Sequence, residues 1–131
     1  MKGRGLDTSV VVRLLIGTPE DQALAAQRAL DGAAAGSLAV SDLVVAESYF
    51  ALRHHYEVPH RKAIGALIAL ITDSRIHCTG IAARVLPSMP DKEQGAGFMD
   101  RLIHASYELE DVALLTFDRA AARLPGAVLV T

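Results

Sequence analysis

The chain has 131 residues, 51% of them apolar, with a mean hydropathy of +0.28; this excludes a disordered tail and fits one packed domain over residues 1–131. Its one cysteine, Cys78, excludes an intrachain disulfide and a metal site built on several cysteines, and fits a reducing compartment. Thirteen Lys and Arg against 15 Asp and Glu leave no blanket of positive charge, and 5% aromatics without Trp argue against a broad stacking platform for single-stranded nucleic acid. No run reaches the ~20 apolar residues a membrane span needs. Lys2, Arg4 and the apolar run after them imitate a signal peptide, but Asp7 and Arg13 interrupt it and no small-residue cleavage site follows. A soluble, cytoplasmic protein without a membrane partner is expected.

In chain order, Arg4–Asp7 reads as a strand, and Asp7-Thr8-Ser9 offers capping chemistry for a helix to about Leu15, stopped by Gly17-Thr18-Pro19. Pro19-Glu20-Asp21 opens a second helix, with acids suited to its positive end, running to Gly32 or Gly36. Ser37–Ser41 is a short apolar strand. Asp42 then caps a helix whose inward side is expected to carry Leu43, Ala46, Phe50 and Leu52–Arg53. Beyond the Glu57-Val58-Pro59 break, Ile64, Leu67, Ile68 and Ile71 have helical spacing within 60–72.

Arg75–Thr79 reads as a third strand, followed by a short helix near Ile81–Leu86 and a Pro- and Gly-rich loop from Ser88 to Gly97. Phe98, Leu102, Ala105 and Leu109 form one stripe of a helix over 98–109. Val112–Phe117 and Ala127–Val130 are strands on either side of a short helix at Arg119–Arg123. Strands alternating with helices predict an α/β architecture: a mostly parallel, Rossmann-like central sheet flanked by helices. Sites in such sheets lie beyond the carboxyl ends of the strands.

That rule singles out acids. Asp7 and Asp118 follow strands directly, Glu47 lies five residues after Asp42, and Asp100 sits in the first turn of the helix feeding the Val112 strand. Taken singly, Asp7 and Asp42 also read as plain N-caps and Asp118 as a turn acid. Glu47 is harder to explain as structure, because Leu43–Ala46 and Tyr49–Leu52 surround it and a lone buried acid costs several kcal/mol. Either it faces solvent or something positive meets it. Four carboxylates on one sheet edge would repel one another, and a divalent cation removes that repulsion. All-oxygen donors suit Mg²⁺ or Mn²⁺ and, with substrate phosphates, phosphodiester chemistry. Without these four acids the chain carries 13 cations against 11 anions, so a basic rim around an acidic pocket fits a polyanionic substrate. Ten of those cations are Arg, which forks onto phosphate.

At these residues the sequence resembles the PIN-domain proteins of the VapC toxin type. The motifs are Leu6-Asp7-Thr8-Ser9, Ser41-Asp42-Leu43 through Ala46-Glu47, Phe98-Met99-Asp100-Arg101-Leu102-Ile103 and Leu115-Thr116-Phe117-Asp118-Arg119. They span nearly the whole chain in order, up to Gly126-Ala127-Val128. The resemblance implies a Mg²⁺- or Mn²⁺-dependent endoribonuclease acting on RNA, a homodimer, and neutralisation by a VapB-type antitoxin. Asp7, Glu47, Asp100 and Asp118 would be the acidic, metal-holding quartet, and Thr116 would hydrogen-bond within the site. Thr8 matches the residue after the first acid, whereas Ser9 stands where many relatives carry Asn. Cleavage by a metal-activated water would leave 5′-phosphate and 3′-hydroxyl ends.

Other features read as structure. Adjacent His54 and His55 point about 100° apart, so with His60 they fit a solvated helix end better than a metal site. His104, one turn after Asp100, reads as a surface residue or an outer contact, and Cys78 as core. Arg13, Arg53, Arg101 and Arg119 lie near site elements, where one or two would meet phosphate. Tyr49-Phe50 and Leu52 fit core or a dimer contact better than base stacking. A groove between the 21–34 and 42–55 helices would suit an antitoxin segment. Three alternatives stay open: a haloacid-dehalogenase-type phosphatase, disfavoured by Ser at position 9; a non-catalytic RNA-binding or protein-interaction module; and a PIN nuclease of RNA processing without a toxin role.

Overall fold

The computed structural model describes residues 3–131. β1 (Arg4–Gly5) leads into α1 (Thr8–Ile16), which ends because Gly17 turns left-handed at φ 83° and donates its N–H to Arg13 O. α2 (Glu20–Asp31) starts on an acidic first turn. β2 (Leu38–Val40) runs into α3 (Asp42–Phe50), which continues as a π-helical turn over Ala51–His55. α4 (His60–Ile71), β3 (Ile76–Cys78) and α5 (Ala82–Val85) follow, then a 3₁₀ turn at Leu86–Ser88 and the 89–97 loop. α6 (Phe98–Leu109) precedes β4 (Leu115–Thr116), a 3₁₀ turn at Ala121–Arg123 and β5 (Val128–Leu129).

The architecture is mixed α/β with all strand pairs parallel, the Rossmann-like arrangement that strand–helix alternation predicts. Arg4 registers with Leu38, and Leu38 with Ile76, so β1, β2 and β3 all end at the same edge. The expected single sheet is divided, however, into a β1–β2–β3 sheet and a separate β4–β5 pair. Strands of two or three residues replace the longer ones expected, because the apolar runs continue into loops and helix starts.

One apolar cluster holds β2, β3 and helices α1–α6 together, centred on Val11, Val40, Val45, Leu52, Leu67, Leu86 and Phe98. None of its buried members lies beyond Ala105. Leu115 and Phe117 around β4 are instead 67% and 81% exposed. The C-terminal strand pair therefore stands outside the core that fixes the rest. No helix among the described residues is long and apolar enough to cross a membrane.

α3 is rotated relative to the expected face. Leu43 and Phe50 point outward, at 82% and 60% exposure, while Val45, Ala46, Ser48 and Leu52 are buried. Residues 45, 48 and 52 form the i, i+3, i+7 stripe that meets the core, with Ser48 Oγ among them and without a hydrogen-bond partner. Leu109 likewise leaves the α6 stripe and is exposed.

Candidate active site

Parallel register delivers the ends of β1, β2 and β3 to one edge, and Asp7 lies just past it. Asp7 follows β1 after Leu6, is exposed, and occupies the N-cap position of α1 without a side-chain capping bond. Its Oδ2 accepts from Ser9 Oγ at 2.9 Å, leaving the rest of the carboxylate available. Glu47 faces solvent from the middle of α3, which resolves its apolar surroundings: the helix presents only its opposite side to the core. Thr8 Oγ1 donates to Glu47 Oε1, tying the start of α1 to α3 and bringing the first two acidic motifs together. Thr8 is the positioning residue that sequence reasoning left without a role; the signal was a hydroxyl directly after a strand-terminal acid.

Asp100 is half-buried in the first turn of α6, whose Phe98 packs edge-on against Tyr49 of α3 at 5.1 Å between ring centres. Asp118 follows β4. Its N–H donates to Thr116 Oγ1 at 3.0 Å, and its Oδ1 accepts from Ala121 N–H at 2.9 Å, so Thr116 and Asp118 brace one turn. Asp7 and Asp118 follow strands of two sheets that are not joined, while Glu47 and Asp100 are carried by α3 and α6. Among the described residues no three His, Cys, Asp or Glu side chains stand close enough to hold one ion. The donor set is nonetheless all oxygen, carboxylates with flanking Thr and Ser hydroxyls, and this is the chemistry of a hard divalent cation rather than zinc.

Several residues near this edge are structural. Asp42 does not cap its own helix; Ser41 Oγ accepts from Val44 N–H at 3.3 Å and does so instead. The Asp42 carboxylate reaches across to accept from Ile81 N–H at 3.0 Å and Ala82 N–H at 2.8 Å, fastening α5 to α3. His60 is buried rather than solvated: its Nε2–H donates to Pro90 O at 2.9 Å and Nδ1 accepts from the Tyr49 hydroxyl at 2.7 Å, satisfying a neutral ring. His54 and His55 are exposed, as a solvated helix end requires. His104 is not a surface group either; it is buried and donates from Nε2 to Pro125 O at 2.7 Å, holding the turn before β5. Cys78 is half-buried in β3, and burial pushes its thiol up.

The arginines are mostly engaged. Arg13 Nε donates to Gln22 Oε1 at 2.7 Å, Arg101 Nε donates to Ala96 O at 2.8 Å, and Arg53 pairs with Glu93 and donates to Val58 O at 3.0 Å. Arg119 is exposed. A shallow apolar groove lies between α1 and α2, lined among others by Val10, Arg13, Gln22, Ala25, Ala26 and Ala29.

Parallel strands alternating with helices, with acids just past two of the strands, make a fold in which sites form beyond the carboxyl ends of the strands. Residues 6–127 match the PIN domain family model, and the chain belongs to that family. The PIN fold is a nuclease fold, in general metal-dependent, and it acts on nucleic acid. No curated protein matches the chain.

Proposed function

We propose that this PIN domain, taken as one domain over residues 1–131, is a Mg²⁺- or Mn²⁺-dependent endoribonuclease whose acidic quartet is Asp7, Glu47, Asp100 and Asp118. The observation that carries this reading is the Thr8–Glu47 hydrogen bond, which joins the acid ending β1 to the acid of α3 inside a chain of nuclease fold. A bound Mg²⁺ or Mn²⁺ would supply an acidified water and neutralise charge on the phosphate. Asp7, Asp100 and Asp118 would hold it, directly or through water, with Glu47 positioned by Thr8. Ser9 orients Asp7 through its hydroxyl, and Thr116 fixes the backbone of Asp118.

The fourth acid joins the others when β4 closes on β1. Among the described residues no strand pairs with the outer edge of β1 or of β4. Both strands run into an acid at their carboxyl ends, and pairing the two edges in parallel would set Asp118 beside Asp7. It would also cover Leu115 and Phe117.

We further infer a toxin role in a VapBC-type pair acting in the cytoplasm. The apolar groove between α1 and α2 would receive an antitoxin segment, and Ile103 and Tyr107, one turn apart and outward on α6, would serve a homodimer. Purified protein should cut single-stranded or structured RNA with Mg²⁺ or Mn²⁺, stop in EDTA, and leave 5′-phosphate ends. Cleavage that persists in EDTA, or 2′,3′-cyclic phosphate ends, would overturn the metal-dependent hydrolysis.

A further inference from the structure

At the end of α3 lies a cavity of about 230 Å³ whose lining includes none of the four acids. Its floor is the end of α3 and the π-helical turn, its other wall the 89–97 loop and the start of α6. Phe50 is 60% exposed here, and its ring lies 4.6 Å from that of His54, tilted by 45°. Met99, nearly half exposed, faces it from α6. Lys92 and Gln94 bring a cation and an amide to the loop side.

We propose that this cavity binds the base of a nucleotide flanking the scissile phosphate, with Phe50 as the stacking surface and Gln94 reading the base edge. The proposal rests on the nuclease reading above and names its specificity pocket. Its position makes the case first. Phe50 follows Glu47 by three residues on the same outward side of α3, roughly 4.5 Å along the axis, and Met99 adjoins Asp100. The pocket's Phe50 thus stands one helical turn from Glu47 on the solvent side of α3, although neither Glu47 nor Asp100 lines the cavity itself.

The walls are fixed. His60 spends both ring nitrogens on Tyr49 and Pro90, Arg53 pairs with Glu93, and Arg101 holds Ala96 O, so the loop is fastened at three points. A pocket formed before binding loses little on ordering. Charge complementarity favours a nucleotide over an apolar peptide. Arg53 neutralises Glu93, leaving Lys92 and His54 at the mouth, where a phosphate would enter. The interior combines apolar and aromatic walls with a few polar groups, the usual makeup of a small-ligand site. The π-helical turn is a further marker, since such turns recur at functional sites. A low aromatic content excludes a stacking platform over many bases, but one base needs one ring.

The test is an NMR titration of the full chain in EDTA with each of the four nucleoside 5′-monophosphates, following the His54 ring protons. At least one nucleotide should shift them saturably. Phe50→Ala should weaken that binding about tenfold, and Gln94→Ala should narrow the difference between bases. In a pool of randomised RNA, wild type with Mn²⁺ should favour one base beside the cut, and Phe50→Ala should lose that preference. Because the titration needs neither metal nor cleavage, nucleotide binding by a chain that cuts no RNA supports the pocket and removes only the nuclease reading. Cleavage with no nucleotide-induced shift, or shifts and base preference unchanged in a folded Phe50→Ala protein, overturns the pocket. So does burial of Phe50 and Met99 by a protein partner that leaves nucleotide binding intact.

Discussion

A few side chains carry tasks out of proportion to their size, and Asp42 is the clearest. Its carboxylate accepts two backbone N–H groups of α5, and Gly80, at φ 91°, gives it room because a Cβ there would run into the carboxylate. Asp42→Ala should cost about 1–3 kcal/mol by stranding those donors, seen as a lower urea midpoint with unchanged slope. Gly80→Ala should be at least as damaging, since it adds left-handed strain to the collision. Asp73 offers a pH test. Arg75 forks onto it through Nε at 2.9 Å and Nη2 at 2.8 Å, and that hydrogen bonding lowers its pKa to about 2. A lowered folded pKa means the contribution is present above the ordinary carboxylate range and disappears as pH falls from about 4 through about 2. The stability difference between wild type and Arg75→Gln should therefore shrink over that acid window, while Asp73 titrates near 2 by NMR. At the site itself, Thr8→Val removes the donor to Glu47 and should lower kcat on RNA about tenfold while leaving the melting temperature nearly unchanged.

At the scale of elements, the sequence was most legible where periodicity was strong. The helix over Phe98–Leu109 and the β1–α1 junction read directly from apolar spacing, although neither helix start carries a side-chain capping bond. α3 was misread in part: Ala46 and Leu52 are buried as expected, but Leu43 and Phe50, which look inward in a nearly uniform apolar run, are exposed, and only packing against the core selects Val45 and Ser48 in their place. His60 and His104 were misread for a related reason. Each is buried only because a distant carbonyl, of Pro90 or Pro125, waits for its Nε2–H, and no local pattern announces such a partner. Asp7 and Asp118 were legible as acids following strands, whereas the separation of β4–β5 from β1 was not, since strand order depends on edges rather than on composition. Closure of β4 on β1 would bury Leu115, with Phe117 beside it; a fully buried side chain of this kind gains roughly 1.5–3 kcal/mol. Leu115→Asp should therefore abolish cleavage by keeping Asp118 away, yet shift the melting temperature little because the residue lies outside the core. Unimpaired cleavage by that variant would show that the acids do not need the closure.

The whole molecule divides its labour between a packed body and a less anchored C-terminal unit. The body, from β1 through α6, fixes Asp7, Glu47 and Asp100 on elements that share the apolar cluster. Asp118 rides on the β4–β5 pair, which His104 holds through Pro125. Four carboxylates brought together without a cation would repel one another, so closure and cation binding should be linked, each favouring the other. Outside the quartet the chain has two more cations than anions, a balance that suits a polyanion around an acidic centre. Membership of the PIN family supplies the nuclease fold, and the arrangement of these particular residues supplies the proposed chemistry.

The most direct measurement is single-turnover cleavage of a labelled RNA pool in Mn²⁺ by wild type, Asp7→Asn, Asp100→Asn and Asp118→Asn, with folding checked by circular dichroism. Loss of at least about a hundredfold in each folded variant is the predicted result, as expected when a metal-holding or transition-state-stabilising group is removed. Wild-type rates in any one of the three would remove that acid from the site, and wild-type rates in all three would contradict the proposed quartet.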